Sequence, residues 1–493
     1  MRPSIQRNLV WLTASQIATW SASLVVVIIM LPRHVSVGDF GTYQFAAAFV
    51  GYFALVATMG STTYLVKTIA RDATQAGPLL ANALVMKLVA TGLLSVVVLA
   101  LAYVLGYSGR TMLLVEVACV AMVVQVLNEA VGATLQGLER INKFALWRCI
   151  QIYVGGAVGL ALLLADKGIV AYALVAPLAG LIPLAANTVH MWPELRESLR
   201  IDFRVWGKLI RGGSPFLLWS AILLVYGTID IPILKAMAGD AAVGAYALAY
   251  AWVSLPAGFS SVVTTATMPS MSANAVDQSS PEFSRITNRS ISLVAFVGIP
   301  MSIGTMLVAS DIFGLLHYQA GFELAVPLVQ ILALHIPLVG IDMVLGSALI
   351  AADRQKIWTV IAGGAALLNP LLNLIAIPIA ISLFNNGAIG AAVITVATEM
   401  FMMVGALLVR PKGVMDRPTT SFALRTAVAS LAMVPAVLAV SGAVLPVKIG
   451  VGVAAYALAS VALGTISLSG LRQAFSGRVA PSLLLNSIAS PSK

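Results

Sequence analysis

The chain has 493 residues, 60% of them hydrophobic and only 10% charged, with a mean hydropathy of +0.97. A soluble domain carries roughly 25% charged residues, so this composition excludes a soluble enzyme or a nucleic-acid-binding domain and leaves a membrane protein. The surplus of 29 Lys and Arg over 19 Asp and Glu then reads as the topology signal of short loops.

A helical crossing of the hydrocarbon core needs about 20 mostly apolar residues. Runs of that length place spans at roughly 9–31, 41–65, 79–105, 112–134, 147–165, 169–191, 213–236, 244–270, 290–314, 324–351, 357–381, 387–409, 422–442 and 447–469. Arg2 and Arg7 precede the first run, which continues without a small-residue cleavage pattern, so a retained span is expected there and not a signal peptide. With the N-terminus inside, 23 of the 29 basic residues fall in inner segments and five in outer ones, while Lys87 lies within a span. That split predicts both termini in the cytoplasm. The longest loop carries Arg196, Arg200, Arg204 and Lys208 at four-residue steps, with Leu195, Leu199, Trp206 and Ile210 on another helical face. This spacing predicts an amphipathic helix on the inner leaflet; a solvated charged linker is the alternative.

Two internal echoes divide the chain. "GTYQFAAAF" from Gly41 returns 203 residues later as "GAYALAYAW" from Gly244, and "GATLQGLER" from Gly132 returns 214 residues later as "GSALIAADR" from Gly346. Each pair falls at the same place in its half, as parallel transporter repeats require. The expected fold is an all-α polytopic membrane protein of about 14 transmembrane helices: two six-helix lobes related by a pseudo-two-fold repeat, plus two C-terminal helices. The expected domains are an N-lobe over 1–192, the linker helix over 193–212, a C-lobe over 213–410, the last two spans over 411–470 and a cytoplasmic tail over 471–493.

No nucleotide loop is present, since Gly207-Lys208 is followed by Leu209, and His34, His190, His317 and His335 are scattered without metal spacing. No catalytic residue, metal site or cofactor is expected. Attention falls on ionisable residues within spans, each costing about 2.5 to 3.5 kcal/mol on insertion scales: Lys87, Glu129, Asp230, Asp342 and Glu399. Lys87 and Glu129 fall at similar depth in adjacent spans, which suits either a neutralising ion pair or a carboxylate switch. Asp342 occupies nearly the repeat-equivalent place of Glu129 without an obvious basic partner, and is the better candidate for binding a proton. Glu129, Asp230, Asp342 and Glu399 are the ion-coupling candidates. Arg33 and Lys235 close spans one and seven, where two cations suit either a diphosphate or simple snorkelling. In a proline-marked span, Asn369 and Asn373 flank Pro370 on one helical face and would suit a sugar or an interhelical contact equally.

The segments "RNLVWLTASQ", "LPRHVSVGDFGTYQFAAAFVGYFALVATMGSTTYLVKTIARD" and "LNPLLNLIAIPIAISLFNNGAIGAAVITVATE" resemble the polysaccharide-transport, or oligosaccharide flippase, family of the multidrug/oligosaccharidyl-lipid/polysaccharide exporter superfamily. The likeness runs over the whole chain and rests on Pro32, Arg33, Gly41, Tyr43, Gly60, Arg71, Asn369, Asn373, Pro378, Gly387, Gly390 and Ala391; Val35-Ser36 stands where the family has Leu-Gly. The resemblance implies a flippase, not an enzyme, that moves undecaprenyl-diphosphate-linked oligosaccharide across the bacterial cytoplasmic membrane for surface polysaccharide synthesis, coupled to H+ or Na+. On that reading Arg33, Lys87, Lys235, Asn369 and Asn373 are the diphosphate and glycan candidates. Spans thirteen and fourteen would offer a groove to the polyprenyl tail. The implied partners are membrane lipid, a polysaccharide polymerase and chain-length proteins, with no nucleic acid, and the chain is expected to be a monomer. The alternatives are an H+ or Na+ drug antiporter of the same superfamily and, from another class, a polysaccharide polymerase or ligase.

Overall fold

The computed structural model describes residues 19–196, 200–275 and 280–466. Arg2, Arg7, Leu199 and the expected tail at 471–493 lie outside them. The described residues are helical, with no β-strand among them. In chain order the helices are α1 (Thr19–His34), α2 (Val37–Thr58), α3 (Ser61–Arg71), α4 (Ala76–Val104), α5 (Gly109–Gly137), α6 (Ile141–Leu164), α7 (Gly168–His190), α8 (Phe203–Thr228), α9 (Asp230–Asn274), α10 (Pro281–Leu316), α11 (Phe322–Leu332), α12 (His335–Ala351), α13 (Gln355–Phe384), α14 (Gly387–Leu408), α15 (Arg417–Ala439) and α16 (Leu445–Ala462).

By length and hydropathy, 11 of the helical segments can cross a membrane, or 12 when α11 and α12, bent by 46° at their junction, count as one span. One of the 11 is the 72-residue stretch Phe203–Asn274, far longer than a bilayer is thick. Gly239, at φ 81°, breaks its helix, because only glycine enters that region without steric cost. The break leaves two stretches of span length, and the short apolar α1 adds another. The fourteen expected crossings are therefore all represented. Polar caps end several of them: Ser36 accepts from Asp39 N at 3.1 Å, Asn386 from Ala388 N at 3.1 Å and Asp416 from Thr419 N at 2.9 Å.

The chain forms two compact units, Met1–Gly244 with Tyr318–Gly321, and Ala245–His317 with Phe322–Lys493. The short Tyr318–Gly321 segment belongs to the first because its backbone and side chains bond there. Gln319 N donates to Pro32 O at 2.9 Å, its amide to Arg33 O at 2.9 Å, and the Tyr318 hydroxyl to Ile28 O at 2.9 Å. Residues 203–212 correct an expectation: they form no separate linker helix but the opening turns of α8. Their amphipathic spacing is real, yet the apolar face meets protein and not lipid. Leu209 is fully buried, and Val205 and Trp206 pack on the Leu65, Ile69 and Leu79 cluster.

The repeat is visible in local geometry. In the first unit Glu139 (φ 59°) ends α5 and Arg140 N donates to Leu135 O at 2.8 Å; in the second Asp353 (φ 58°) follows α12 and Arg354 N donates to Leu349 O at 2.8 Å. A Cβ added at Gly132 would stand 2.6 Å from the Phe144 ring, and one at Gly346 would stand 2.6 Å from the Trp358 ring. The ring partners are 214 residues apart, as the glycines are. The other echo meets itself: within the first unit, Gly41 abuts the backbone of Asp240 and Gly244, and Gly244 abuts that of Val37 and Gly41. Each of these pairs keeps the 203-residue offset, so the contact is reciprocal, as two-fold-related surfaces demand.

Candidate functional site

In the second unit four helices bring polar side chains to one buried place. From α12 come His335 and Asp342, seven residues apart and so on one helical face. From α14 come Thr395, Thr398 and Glu399; from α13 come Asn369 and Asn373; from α9 come Tyr246 and Tyr250. The Asp342 and Glu399 carboxyl groups face each other within hydrogen-bonding range. Both are buried, at 2% and 1% exposure, and no nitrogen or hydroxyl donor reaches Asp342 Oδ1. His335 Nδ1 lies 3.4 Å from Glu399 Oε2, and the His335 ring sits 5.8 Å from that of Tyr250. Around the acids the network is closed: the Tyr246 hydroxyl and Thr395 Oγ1 are 2.7 Å apart, and Asn369 Nδ2 reaches Thr398 Oγ1 at 3.5 Å. Asn373 Nδ2 donates to Asn369 Oδ1 at 2.8 Å. The two asparagines thus serve each other and the neighbouring helix. Asp342, expected to stand without a partner, has an acidic one.

His335 was not marked by sequence as part of this site. It opens α12 at the bend after α11, a break that puts a polar ring at mid-span where hydropathy alone shows an unbroken apolar run. Glu399, Thr395 and Thr398 share a helical face at i, i+3 and i+4, which was the available signal.

The first unit treats its carboxylate differently. Lys87 is fully buried on α4 and its Nζ has no hydrogen-bond partner among the described residues. Glu129 on α5 is the charge that acts on it, but no ion pair joins them: Glu129 is half-buried and accepts from the Gln125 amide at 3.4 Å. It faces a cavity of about 520 Å³ that Tyr43, Gln125, Asn128, Arg148, Gln151 and Tyr172 also line. Asn128 Nδ2 donates to Gly180 O at 2.8 Å, and the Tyr43 and Tyr172 rings meet edge-on at 5.7 Å. Of the neutralising pair and the switch expected for Lys87 and Glu129, the structure has the two groups apart.

The remaining candidates are dispersed. Lys235 is paired with Asp240 and lies 5.3 Å from the Phe45 ring and 5.8 Å from that of Tyr107, a compensated cation in an aromatic setting. Arg33 is half-buried at the end of α1, its carbonyl held by Gln319. Asp230 is buried where α8 gives way to α9, in the field of Tyr52, whose hydroxyl lies 2.9 Å from Thr228 Oγ1.

Residues 5–275, more than half of the chain, match the profile of the polysaccharide biosynthesis protein family. The chain belongs to that family. Residues 215–375 also match the MatE family. This polysaccharide biosynthesis protein is similar to the probable low-salt glycan biosynthesis flippase Agl15 of Haloferax volcanii, 25% identical over 369 residues that make up 74% of each chain. Its fold is similar to that of the lipid II flippase MurJ in an inward closed conformation (TM-score 0.73, 14% identity, covering 92% of this chain and 98% of that one). It is similar too to an inward-facing multidrug resistance MATE family transporter (TM-score 0.59, 15% identity, 80% and 96% covered). The fold is that of the multidrug/oligosaccharidyl-lipid/polysaccharide exporter superfamily.

Beside its acid cluster, the second unit of this family member holds an apolar cavity of about 480 Å³ between α10, α15 and α16, lined by Phe296, Met301, Gly304, Met433, Val453 and Tyr456 among others. Its one charged lining residue, Lys448, is paired with Asp311 at 2.7 Å. A neutralised, hydrocarbon-lined cavity suits an aliphatic chain and not a sugar.

Proposed function

We propose that the chain is a flippase that carries a polyprenyl-diphosphate-linked oligosaccharide across the bacterial cytoplasmic membrane, by alternating access coupled to a proton gradient. Family membership and the activity in the name of the Haloferax volcanii relative support the cargo class. The lobes expected at 1–192 and 213–410 would be the moving bodies, with both termini cytoplasmic. The isoprenoid tail would lie along α15 and α16.

Proton coupling rests on one observation, the buried Asp342–Glu399 pair. Two negative charges at this separation, away from water, repel strongly and lose their hydration. The pair therefore holds a proton between its oxygens, with His335 beside Glu399 as the group able to pass that proton on. Releasing it leaves two facing charges that the unit must separate or neutralise, and this penalty biases one conformation over the other. Asn369 and Asn373 serve this pair through Thr398 and are not glycan contacts on this reading. Arg33 is the proposed diphosphate contact, since a guanidinium matches phosphate oxygens two at a time. Lys235 is held by Asp240 and joins it only when that pair opens.

The test is a cell lacking this chain. Lipid-linked oligosaccharide accumulates on the inner leaflet, the wild-type chain restores export, and Arg33→Ala restores at most a tenth of it at equal protein level. Restored resistance to cationic drugs, without restored glycan export, would favour the antiporter. Full export by Arg33→Ala would remove the diphosphate assignment.

A further inference from the structure

The second unit contains a basic cavity that the transport reading does not use. It has a volume of about 550 Å³ and lies where α10 begins and the 409–416 turn leads into α15. Arg285, Arg289 and Lys412 line it together with Ser284, Asn288 and Ser292. Among the described residues Arg285 is paired with Glu282, whereas no protein acceptor engages the side chains of Arg289, which is half-buried, or Lys412. The other charge in the lining, Asp416, is occupied as the α15 cap, accepting from Thr419 N at 2.9 Å and Thr419 Oγ1 at 2.6 Å.

The wall of this cavity is held rigidly. Asn288 Nδ2 donates to Gly413 O at 2.8 Å while its Oδ1 accepts from Met415 N at 2.7 Å, and Ser284 Oγ donates to Lys412 O at 3.0 Å. From the far side Arg410 Nε donates to Val414 O at 2.9 Å. Gly413 takes φ +78°, and a Cβ there would come within 2.8 Å of Ser284 Oγ. Three side chains thus fasten one turn so that Lys412 stands opposite Arg285 and Arg289.

The α10 residues in the basic cavity, 285, 289 and 292, continue at three- and four-residue steps as Phe296, Pro300 and Gly304, which line the apolar cavity. One helical face therefore runs from cations and hydroxyls at the helix start to hydrocarbon within the span. That sequence of surfaces is complementary to an amphiphile with a phosphate head, and the depth at which the cations stand, at the beginning of a crossing helix, is the level of lipid headgroups. We infer that Arg289, Lys412 and Arg285 form a binding site for the phosphodiester head of an anionic membrane phospholipid, whose acyl chains follow α10 into the bilayer.

The test uses the full-length purified protein in a neutral detergent, with retained lipid read by native mass spectrometry after addition of phosphatidylglycerol or phosphatidylcholine. Phosphatidylglycerol is expected to be retained at least about tenfold over phosphatidylcholine, and each lost cation to lower retention about fivefold, so the Arg289→Gln/Lys412→Gln variant keeps about one twenty-fifth. Arg204→Gln, an exposed cation elsewhere, is expected to leave retention unchanged. Independently of any variant, a tenfold rise in salt should weaken phosphatidylglycerol retention and spare phosphatidylcholine. Equal retention of the two lipids, or retention indifferent to salt, would overturn the site. So would an unchanged, normally eluting double variant. Displacement of the lipid by inorganic phosphate at equal concentration would make it a free-anion site, and displacement by stoichiometric farnesyl diphosphate would make it a cargo site; either result overturns the phospholipid assignment.

Discussion

Glu129 and Asp342 stand one position apart in the repeat alignment, in helices that end with the same turn, yet their surroundings differ. Glu129 is half-buried, opens onto a polar cavity and touches only an amide, with an orphaned lysine nearby. Asp342 is sealed among helices against a second carboxyl group. Duplicated scaffolds preserve backbone geometry, while the chemistry of a position is decided by what the neighbouring helix presents: Gln125 in one case and Glu399 in the other. An acid that water reaches can stay ionised at little cost, whereas a sealed acid facing another must hold a proton.

This contrast can be broken by substitution. Glu399→Gln is expected to lower glycan export at least tenfold, about 1.4 kcal/mol, at unchanged protein level; full export would show that the sealed pair is structural. Next in size, Gly132→Val and Gly346→Val each force a side chain into an aromatic ring. Each is expected to destabilise by about 1–3 kcal/mol, read as lowered melting temperatures that match between the two. A large disparity would separate the two halves that the repeat equates. Lys87→Met removes a buried ammonium that lacks a hydrogen bond and, since apolar replacement of buried charge is often stabilising by about 1–4 kcal/mol, should raise the melting temperature while lowering export. A destabilised variant would mean that Lys87 is held by its surroundings after all. The smallest effect is expected for Glu129→Gln, which keeps shape and hydrogen bonding in a hydrated cavity: export within about threefold of wild type, on the scale of a surface charge interaction.

Much of this architecture could be read without coordinates because membrane spans are set by local composition, and local composition is what sequence displays. The two echoes from Gly41 and Gly132 were legible for the same reason, and the turns at Glu139 and Asp353 follow them. Contacts between distant segments were less accessible. Asp342 and Glu399 are 57 residues apart, and nothing in either span names the other as its neighbour. His335 entered the cluster through the bend between Leu332 and His335, which apolar residues on both sides conceal. The α8 start was misjudged because an amphipathic face suits a lipid surface and the Leu65–Leu79 cluster equally well; which one it meets is a tertiary fact. Lys87 and Glu129 were placed at the right depth, but whether two long side chains close onto each other depends on rotamers that spacing does not determine.

The most direct measurement is the rate at which lipid-linked oligosaccharide reaches the far leaflet of proteoliposomes, with and without an imposed proton gradient, for the wild-type chain and Asp342→Asn. The wild type is predicted to accelerate severalfold under the gradient and the variant to show the same slow rate in both conditions. An Asp342→Asn protein that responds to the gradient as the wild type does, or a wild type that responds to sodium and not to protons, would contradict the account.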